Sequence, residues 1–187
     1  MSTQVAILPI GPLMIEHRLI ERMVNLLEKE ALNIRNTGRT NIIFLRAAID
    51  FFGFYADRTH HGKEEDILFA ELLKRELSVA DKEMVERLQQ EHAVARELVV
   101  KLGMDADEGC RQCSPEILNR LSAGLEELTG LYRPHIQKED KQFFIPVMKY
   151  FSKEEQDAML CRFWEFDRLL IHEKYKKMVG QFEEKEA

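Results

Sequence analysis

The chain has 187 residues, 45% of them hydrophobic and 32% charged, which is enough for one compact domain with a sizeable core. Its net charge of −6 provides no basic stripe for phosphates and so argues against nucleic acid as a partner. An odd number of cysteines (three) and a short, proline-interrupted apolar N-terminus argue against a disulfide-stapled secreted protein and against a membrane span, so we expect a cytoplasmic protein.

Apolar residues recur at helical spacing along most of the chain. The first predicted helix covers residues 12–30, where Pro12 suits a first helical position. A second covers residues 41–76, and Gly53 and Gly62 mark places where it could kink or be closely approached by another backbone.

Capping residues mark the start of the three helices that follow. Ser78 precedes a third helix that we expect to stop near Gly103, with the polar stretch MDADEGCRQCSP as a loop. Ser114 precedes a fourth, which ends around Pro146 and has a bend at Pro134. A capping box at Ser152 starts a fifth, over about residues 152–182. The sequence thus predicts an all-α protein of one domain (residues 1–187), with a four-helix bundle over about 12–150 and an additional C-terminal helix.

Two segments of the second and fourth helices resemble each other. HHGKEEDILF at 60–69 is repeated as HIQKEDKQFF at 135–144, an offset of 75 positions. The same offset relates an EH pair in the first helix to an EH pair in the third. Two copies of a helix pair related by pseudo-twofold symmetry explain this pattern, and they align six residues without a gap: His17 with His92, His60 with His135, and Glu64 with Glu139.

These six residues predict a dinuclear metal site. A His and a Glu four positions apart lie on the same face of a helix. Burying so many polar groups without partners would cost on the order of 2 to 7 kcal/mol each, and a metal pair removes that cost. Imidazole and carboxylate without thiolate suit iron, manganese or zinc. We favour two iron ions bridged by Glu64 and Glu139, because zinc prefers four-coordinate closure.

The same residues resemble the hemerythrin-like, or HHE cation-binding, domains. The resemblance is carried by EH at 16–17, HHGKEEDILF at 60–69, EH at 91–92 and HIQKEDKQFFIP at 135–146. It implies an up-down four-helix bundle around a non-haem di-iron centre, carboxylate- or oxo-bridged. The ligands it implies are His17, His60, Glu64, His92, His135 and Glu139.

The family resemblance implies several functions. Members bind dioxygen, sense gases or redox state, or repair iron-sulfur centres under nitrosative stress. Oxygen-carrying hemerythrins use His-x-x-x-His on one helix, whereas Arg96 follows His92 by four positions here. We therefore expect a protein that binds or senses dioxygen or nitric oxide, or handles iron. The alternatives are a di-iron enzyme or repair factor, and a bundle in which the metals are only structural.

Other residues near the motifs have less defined roles. His61 follows His60, and because adjacent α-helical residues point about 100° apart, we expect His61 at the surface. Tyr132 shares the face of His135 and could contact a bound ligand or pack in the core. His172, one heptad after Glu165 on the same face, could be a further ligand, a lid or a group that supports the ligands, although a packed interhelical His–Glu contact is the simpler expectation.

Three further features of the sequence are weaker indications of function. Glu21 is a poor ligand candidate, because its repeat partner is Arg96. The Cys110 and Cys113 pair could have a minor redox role or none. The aromatic residues of the last helix are expected to cover the bundle, or to form a homodimer interface where they are exposed: Phe163, Trp164 and Phe166.

Overall fold

The computed structural model describes residues 8–112, 114–168 and 171–183, and all regular structure within these ranges is helical. Four long helices form the bundle and two shorter ones follow. In chain order they are α1 (Ile10–Thr37), α2 (residues 42–72), α3 (Val79–Arg111), α4 (residues 115–147), α5 (Lys153–Asp167) and α6 (Ile171–Glu183). The predicted all-α bundle is confirmed.

Helix α1 is longer than predicted at both ends. Pro9 precedes its first turn, and Ile10 and Ile34 are both buried, so the apolar face continues past residue 30. The helix stops at Gly38, which has a φ of 63° and donates its N–H to the Ile34 carbonyl. A residue without a Cβ tolerates this left-handed conformation, which explains the position of the helix end.

Helices α2 and α4 change from α to π geometry where the repeated motifs lie. In α2 the order is α (Ile42–Asp50), π (Phe51–His61 and Glu64–Phe69) and α (Ala70–Leu72); in α4 it is α (Pro115–Lys138), π (Glu139–Phe143) and α (Phe144–Val147). A π segment inserts extra residues into a turn and is common at functional sites. The wider turns change which side chains point into the bundle.

Helix α3 begins as predicted, because the Ser78 side chain accepts a hydrogen bond from the Asp81 amide. It does not stop near Gly103, and the predicted loop there is wrong. The helix continues to Arg111 because its last turns pack against α4. Leu102 lies directly against Gly124, and the buried Asp105 accepts a 2.7 Å hydrogen bond from Arg120.

The C-terminal region starts with the predicted capping box, in which Ser152 and Glu155 bond to each other's backbone amides. The single fifth helix that we predicted is divided into α5 and α6. Helix α6 packs against the bundle through Tyr175, which is fully buried and bonds to the Asp50 carboxylate at 2.5 Å.

The core has two apolar clusters separated by a polar layer. The first cluster includes Leu27, Phe52, Leu102 and Leu128, and the second includes Leu13, Leu68, Leu88 and Phe144. Along α1 and α3 the chain passes from the second cluster to the first, and along α2 and α4 it passes in the reverse order. The four helices therefore run up and down. Within the described ranges, no helix has the length and apolar character needed to cross a membrane.

Candidate metal centre

The polar layer contains all six predicted ligands. They come from the four bundle helices, and each has a relative exposure of 2% or less: His17, His60, Glu64, His92, His135 and Glu139. Buried groups of this kind are found in proteins when they are paired or coordinate a metal. The layer thus brings together the donors that the repeat predicted.

The histidines are arranged in two pairs. The rings of His17 and His60 are 4.5 Å apart between centroids, and those of His92 and His135 are 4.9 Å apart. Each pair joins neighbouring helices within one copy of the repeat. The structure thus provides two imidazole pairs, one from α1 and α2 and the other from α3 and α4.

The two glutamates lie between these pairs. Glu139 Oε2 is 3.1 Å from His17 Nε2 and 3.3 Å from His135 Nε2. Glu64 places its oxygens 3.5 Å from His60 Nε2 and 3.4 Å from His92 Nε2. Because each carboxylate is close to one histidine from either pair, each is in position to bridge two ions.

A carboxylate orients the outer nitrogen of each of the four histidines. The Nδ1 contacts are His17 to Asp140 at 2.8 Å, His60 to Glu16 at 2.8 Å, His92 to Glu65 at 2.7 Å and His135 to Glu91 at 2.8 Å. These contacts hold the proton on Nδ1 and direct the Nε2 lone pair inward, as in metal sites of other proteins. The repeat relates them in the same way as the ligands, because Glu16 aligns with Glu91 and Glu65 with Asp140.

A lysine extends each half of this network. Lys63 forms an ion pair with Glu16, and its repeat partner Lys138 forms one with Glu91. Lys63 is fully buried and also contacts Asp167 of α5 at 2.8 Å. The lysine of each repeated motif therefore anchors the carboxylate behind His60 or His135.

Charge is distributed unevenly in the metal-free layer. Burial lowers the pKa of His17, but the hydrogen bond with Asp140 and the nearby charge of Glu139 outweigh burial and raise it to about 9. Burial and the nearby charge of His17 lower the pKa of His60 to about 4. Burial and the charge of Glu139 hold the pKa of Glu64 well above its ordinary value. The metal-free layer thus keeps protons on His17 and Glu64 that a metal would displace.

Unpaired polar atoms converge at the centre of the layer. The inner atoms of all six residues are buried and have no hydrogen-bond partner among the described residues: Nε2 of the four histidines and both carboxylate oxygens of Glu64 and Glu139. An unsatisfied buried polar group costs on the order of 1–3 kcal/mol. A bound cation would satisfy all of these atoms at once, and imidazole with carboxylate suits iron, manganese or zinc. The residues present therefore fit a metal centre.

His61 is placed differently from the prediction. It is 1% exposed, and the expected surface placement is wrong. The π geometry of residues Phe51–His61 explains the difference, because the wider turn allows His60 and His61 to enter the polar layer from opposite sides. Neither ring nitrogen of His61 has a hydrogen-bond partner in the described structure. Burial, reinforced by the charge of His92, holds its pKa well below the ordinary value.

The remaining predicted residues surround the layer. Tyr132 is buried, packs on Phe52 at 4.8 Å between centroids, and lies 6.3 Å from the His135 ring. His172 is half-buried on α6 and contacts Asp167 at 2.6 Å and the Tyr55 hydroxyl at 2.9 Å. Its Nε2 also lies 3.6 Å from a carboxylate oxygen of Glu16 on α1. Neither lies among the six converging residues.

Glu21 and Cys110, the other residues considered in the sequence, take no part in the polar layer. Glu21 pairs with Arg18 near the surface, away from the metal layer. Cys110 lies exposed near the end of α3, and the predicted Cys110 and Cys113 pair cannot be described because Cys113 lies outside the described residues.

Two cavities approach the layer from opposite sides of α2. One, of about 220 Å³, is lined by Gly53, Asp57, His61, Arg96 and Tyr132 among others. The other, of about 450 Å³, is lined on its polar side by Glu16, Tyr55, Asp167 and His172. Both lie beside residues that contact the ligand histidines, since His61 stacks on His92 and Glu16 bonds to His60.

Comparison with known proteins agrees with this geometry. The family model described as the hemerythrin HHE cation binding domain matches residues 8–145, which contain all four bundle helices up to the last turn of α4. No curated protein and no solved structure gave a significant match.

Proposed function

We propose that this chain, which belongs to the hemerythrin HHE cation-binding family, holds two iron ions and takes up dioxygen or nitric oxide there. The observation that carries the proposal is the convergence of unpaired Nε2 and carboxylate atoms in one buried layer. Manganese and zinc suit the same donors, so the metal identity is part of the proposal.

The proposed ligand set follows the two histidine pairs. His17 and His60 would hold one ion, His92 and His135 the other, and Glu64 and Glu139 would bridge both. Bound iron would supply redox activity and coordination positions that the protein leaves open. The proposed ligand is a small gas because the layer is closely surrounded by apolar side chains.

The surrounding residues have the task of fixing and insulating the centre. The four carboxylates on Nδ1 would keep each imidazole turned with its Nε2 toward the metal. Two phenylalanines stack on the histidines, Phe144 on His17 and Phe69 on His92. These rings exclude water from the side of the second apolar cluster, which favours reversible uptake of a weakly polar gas.

An enzymatic role is the second candidate. It would be a di-iron enzyme or a repair factor for damaged iron-sulfur centres under oxidative or nitrosative stress. The cavities of about 220 and 450 Å³ favour it, because they are larger than a diatomic gas requires. Tyr132 lines the first and His172 the second, so each would contact a substrate outside the metal layer.

We place this function in the reducing cytoplasm, on the basis of the odd cysteine count. A homodimer is part of the same proposal. Trp164 and Phe166 of α5 are 54% and 38% exposed, whereas Phe163 is buried beneath them. The exposed rings offer an apolar contact for a second copy.

Metal analysis of anaerobically purified protein, with optical spectra before and after addition of dioxygen and then nitric oxide, tests the proposal. We expect about two irons per chain and a new near-ultraviolet or visible band with either gas. Stoichiometric uptake supports binding or sensing, whereas steady turnover of peroxide or nitric oxide supports the enzyme. Protein that binds no iron, or that holds it with a silent spectrum, would overturn both. His172→Ala, outside the ligand set, is the matched control for His60→Ala and His135→Ala, which should lose metal.

A further inference from the structure

The larger of the two cavities beside the polar layer has its own set of lining residues. It has a volume of about 450 Å³ and lies among α1, α2, α5 and α6. Of the described residues that line it, none is one of the six converging ligands. Cavities of this size accommodate a small organic molecule and are larger than a diatomic gas requires. The cavity is therefore a candidate binding site separate from the metal layer.

Apolar side chains form one part of this cavity. Ile15 and Leu19 of α1 line it together with Trp164 of α5. Ile15 is 72% exposed and Trp164 is 54% exposed. A ligand held against them would remove this apolar surface from water, which is favourable. This part of the cavity suits a hydrocarbon group.

Cationic side chains form another part. Arg22 of α1 and Lys176 of α6 both line the cavity. The bonds from Arg22 to Glu183 use two of the five N–H donors of its guanidinium. Lys176 is exposed and forms no ion pair with any side chain that the structure describes. Arg18, which also lines the cavity, is paired with Asp140. Arg22 and Lys176 thus have donors available for an anion.

The apolar and cationic parts lie toward opposite ends of the bundle. Phe163, the neighbour of Trp164, belongs to the second apolar cluster, whereas Tyr175, the neighbour of Lys176, belongs to the first. The cavity therefore has an apolar end and a cationic end. A ligand that fills it would carry its charge at one end only.

The acidic residues of the cavity are already paired. Asp167 contacts Lys63 at 2.8 Å and His172 at 2.6 Å. Glu16 forms an ion pair with Lys63 and bonds to His60 at 2.8 Å. Because these partners hold both carboxylates, the charge at the cationic end is left for a ligand.

We propose that this cavity binds a monocarboxylate with an apolar tail. The carboxylate lies beside Arg22 and Lys176, where charge-assisted hydrogen bonds hold it. The tail lies against Ile15, Leu19 and Trp164. Ile15 and Arg22 are seven residues apart on α1, about 10 Å along the helix axis, which matches a medium-chain carboxylate such as octanoate. The inference is independent of the proposed function, because it uses none of the six converging residues.

Titration of the purified full-length protein with octanoate tests the proposal. Trp164 is the only tryptophan of the chain, so its fluorescence reports directly on the cavity. We expect a saturable change in its emission. Two probes divide the ligand: 1-octanol has the tail without the charge, and acetate has the charge without the tail. Each should bind at least ~10-fold more weakly than octanoate. Octanoate that binds no more tightly than either probe would overturn the proposal.

Charge-removing variants locate the binding site. Arg22→Gln and Lys176→Gln should each weaken octanoate binding at least ~5-fold. Lys177→Gln, at the next position of α6, is exposed and outside the cavity lining, and this matched control should bind octanoate like the wild type. Because Lys176 forms no ion pair with a described side chain, K176Q reports on binding even if R22Q disturbs the contact with Glu183. An octanoate affinity that is unchanged in K176Q, or reduced equally in K177Q, would overturn the assigned site.

Discussion

Replacing Glu64 with methionine should stabilise the metal-free protein while abolishing the metal centre. Both carboxylate oxygens of Glu64 are buried without a hydrogen-bond partner among the described residues, and the pKa of the group is raised by burial and by the charge of Glu139. Methionine has a similar length, is flexible, and carries no group that needs a hydrogen bond.

The expected gain in stability of Glu64→Met follows from the two buried carboxylate oxygens that it removes. Each unsatisfied buried group costs on the order of 1–3 kcal/mol, part of which is lost again to imperfect packing of the new side chain. We expect a net gain of about 2 kcal/mol in the free energy of unfolding without metal, or roughly 4–8 °C in Tm for a chain of this size. Metal at 100 times its Kd stabilises the wild type by about 2.7 kcal/mol, and E64M should lose this increment.

Thermal unfolding at pH 7, with and without added Fe²⁺ or Mn²⁺, measures both effects. Glu139→Met is the matched control from the other repeat. The pKa of Glu139 is held well below its ordinary value because His135, His17 and His92 outweigh burial, so E139M should lower the Tm without metal. A lower Tm for metal-free E64M would mean that Glu64 stabilises the fold, and the reasoning from unsatisfied oxygens would fail.

Three further predictions concern the surroundings of the centre. Glu91→Gln should weaken metal affinity about 10–100-fold, because it removes the charge behind His135. Glu97→Gln, at an exposed position of the same helix, should leave the affinity unchanged. If the two variants bound metal equally well, the role of the outer carboxylates would be contradicted. Because the pKa of His17 is raised to about 9, the stability that its protonation gives the metal-free protein should be complete below about pH 6.5 and lost between pH 6.5 and 9. The metal affinity should rise over the same pH interval. A metal-free Tm that does not change between pH 6.5 and 9, and that His17→Gln does not alter, would refute this prediction. Gly124→Ala should lower the free energy of unfolding by about 1 kcal/mol, since its Cβ would meet Leu102 at 2.8 Å. Gly130→Ala, in an open position of α4, should raise it by about 1 kcal/mol. If thermal unfolding showed Tm changes of the same sign for both variants, the packing of Leu102 on Gly124 would be contradicted.

The repeat made the fold and the six converging residues predictable, because a gapless offset fixes which residues of four helices face each other. The same offset also relates Glu16 to Glu91 and Glu65 to Asp140. These outer carboxylates could have been found from the sequence as repeated acidic neighbours of the motifs. Their role was missed because acidic residues beside lysines resemble a solvated surface.

His61 could not be placed from the sequence, since α-helical spacing of about 100° per residue directs it away from the His60 face, whereas α2 has π geometry at that point. The length of α3 was missed for a different reason. Gly103 and the polar residues after it resemble a loop, but packing of Leu102 on Gly124 outweighs local propensity. The division between α5 and α6 has no glycine or proline to mark it in residues 165–172.

An anomalous diffraction map of iron-loaded crystals, measured at the iron edge, tests the dinuclear centre most directly. We expect two peaks roughly 3.5–4 Å apart in the polar layer, the separation typical of two-metal sites, with Glu64 and Glu139 between them. One peak should lie beside His17 and His60, and the other beside His92 and His135. A single peak, or iron only at surface carboxylates with the polar layer empty, would contradict the dinuclear centre.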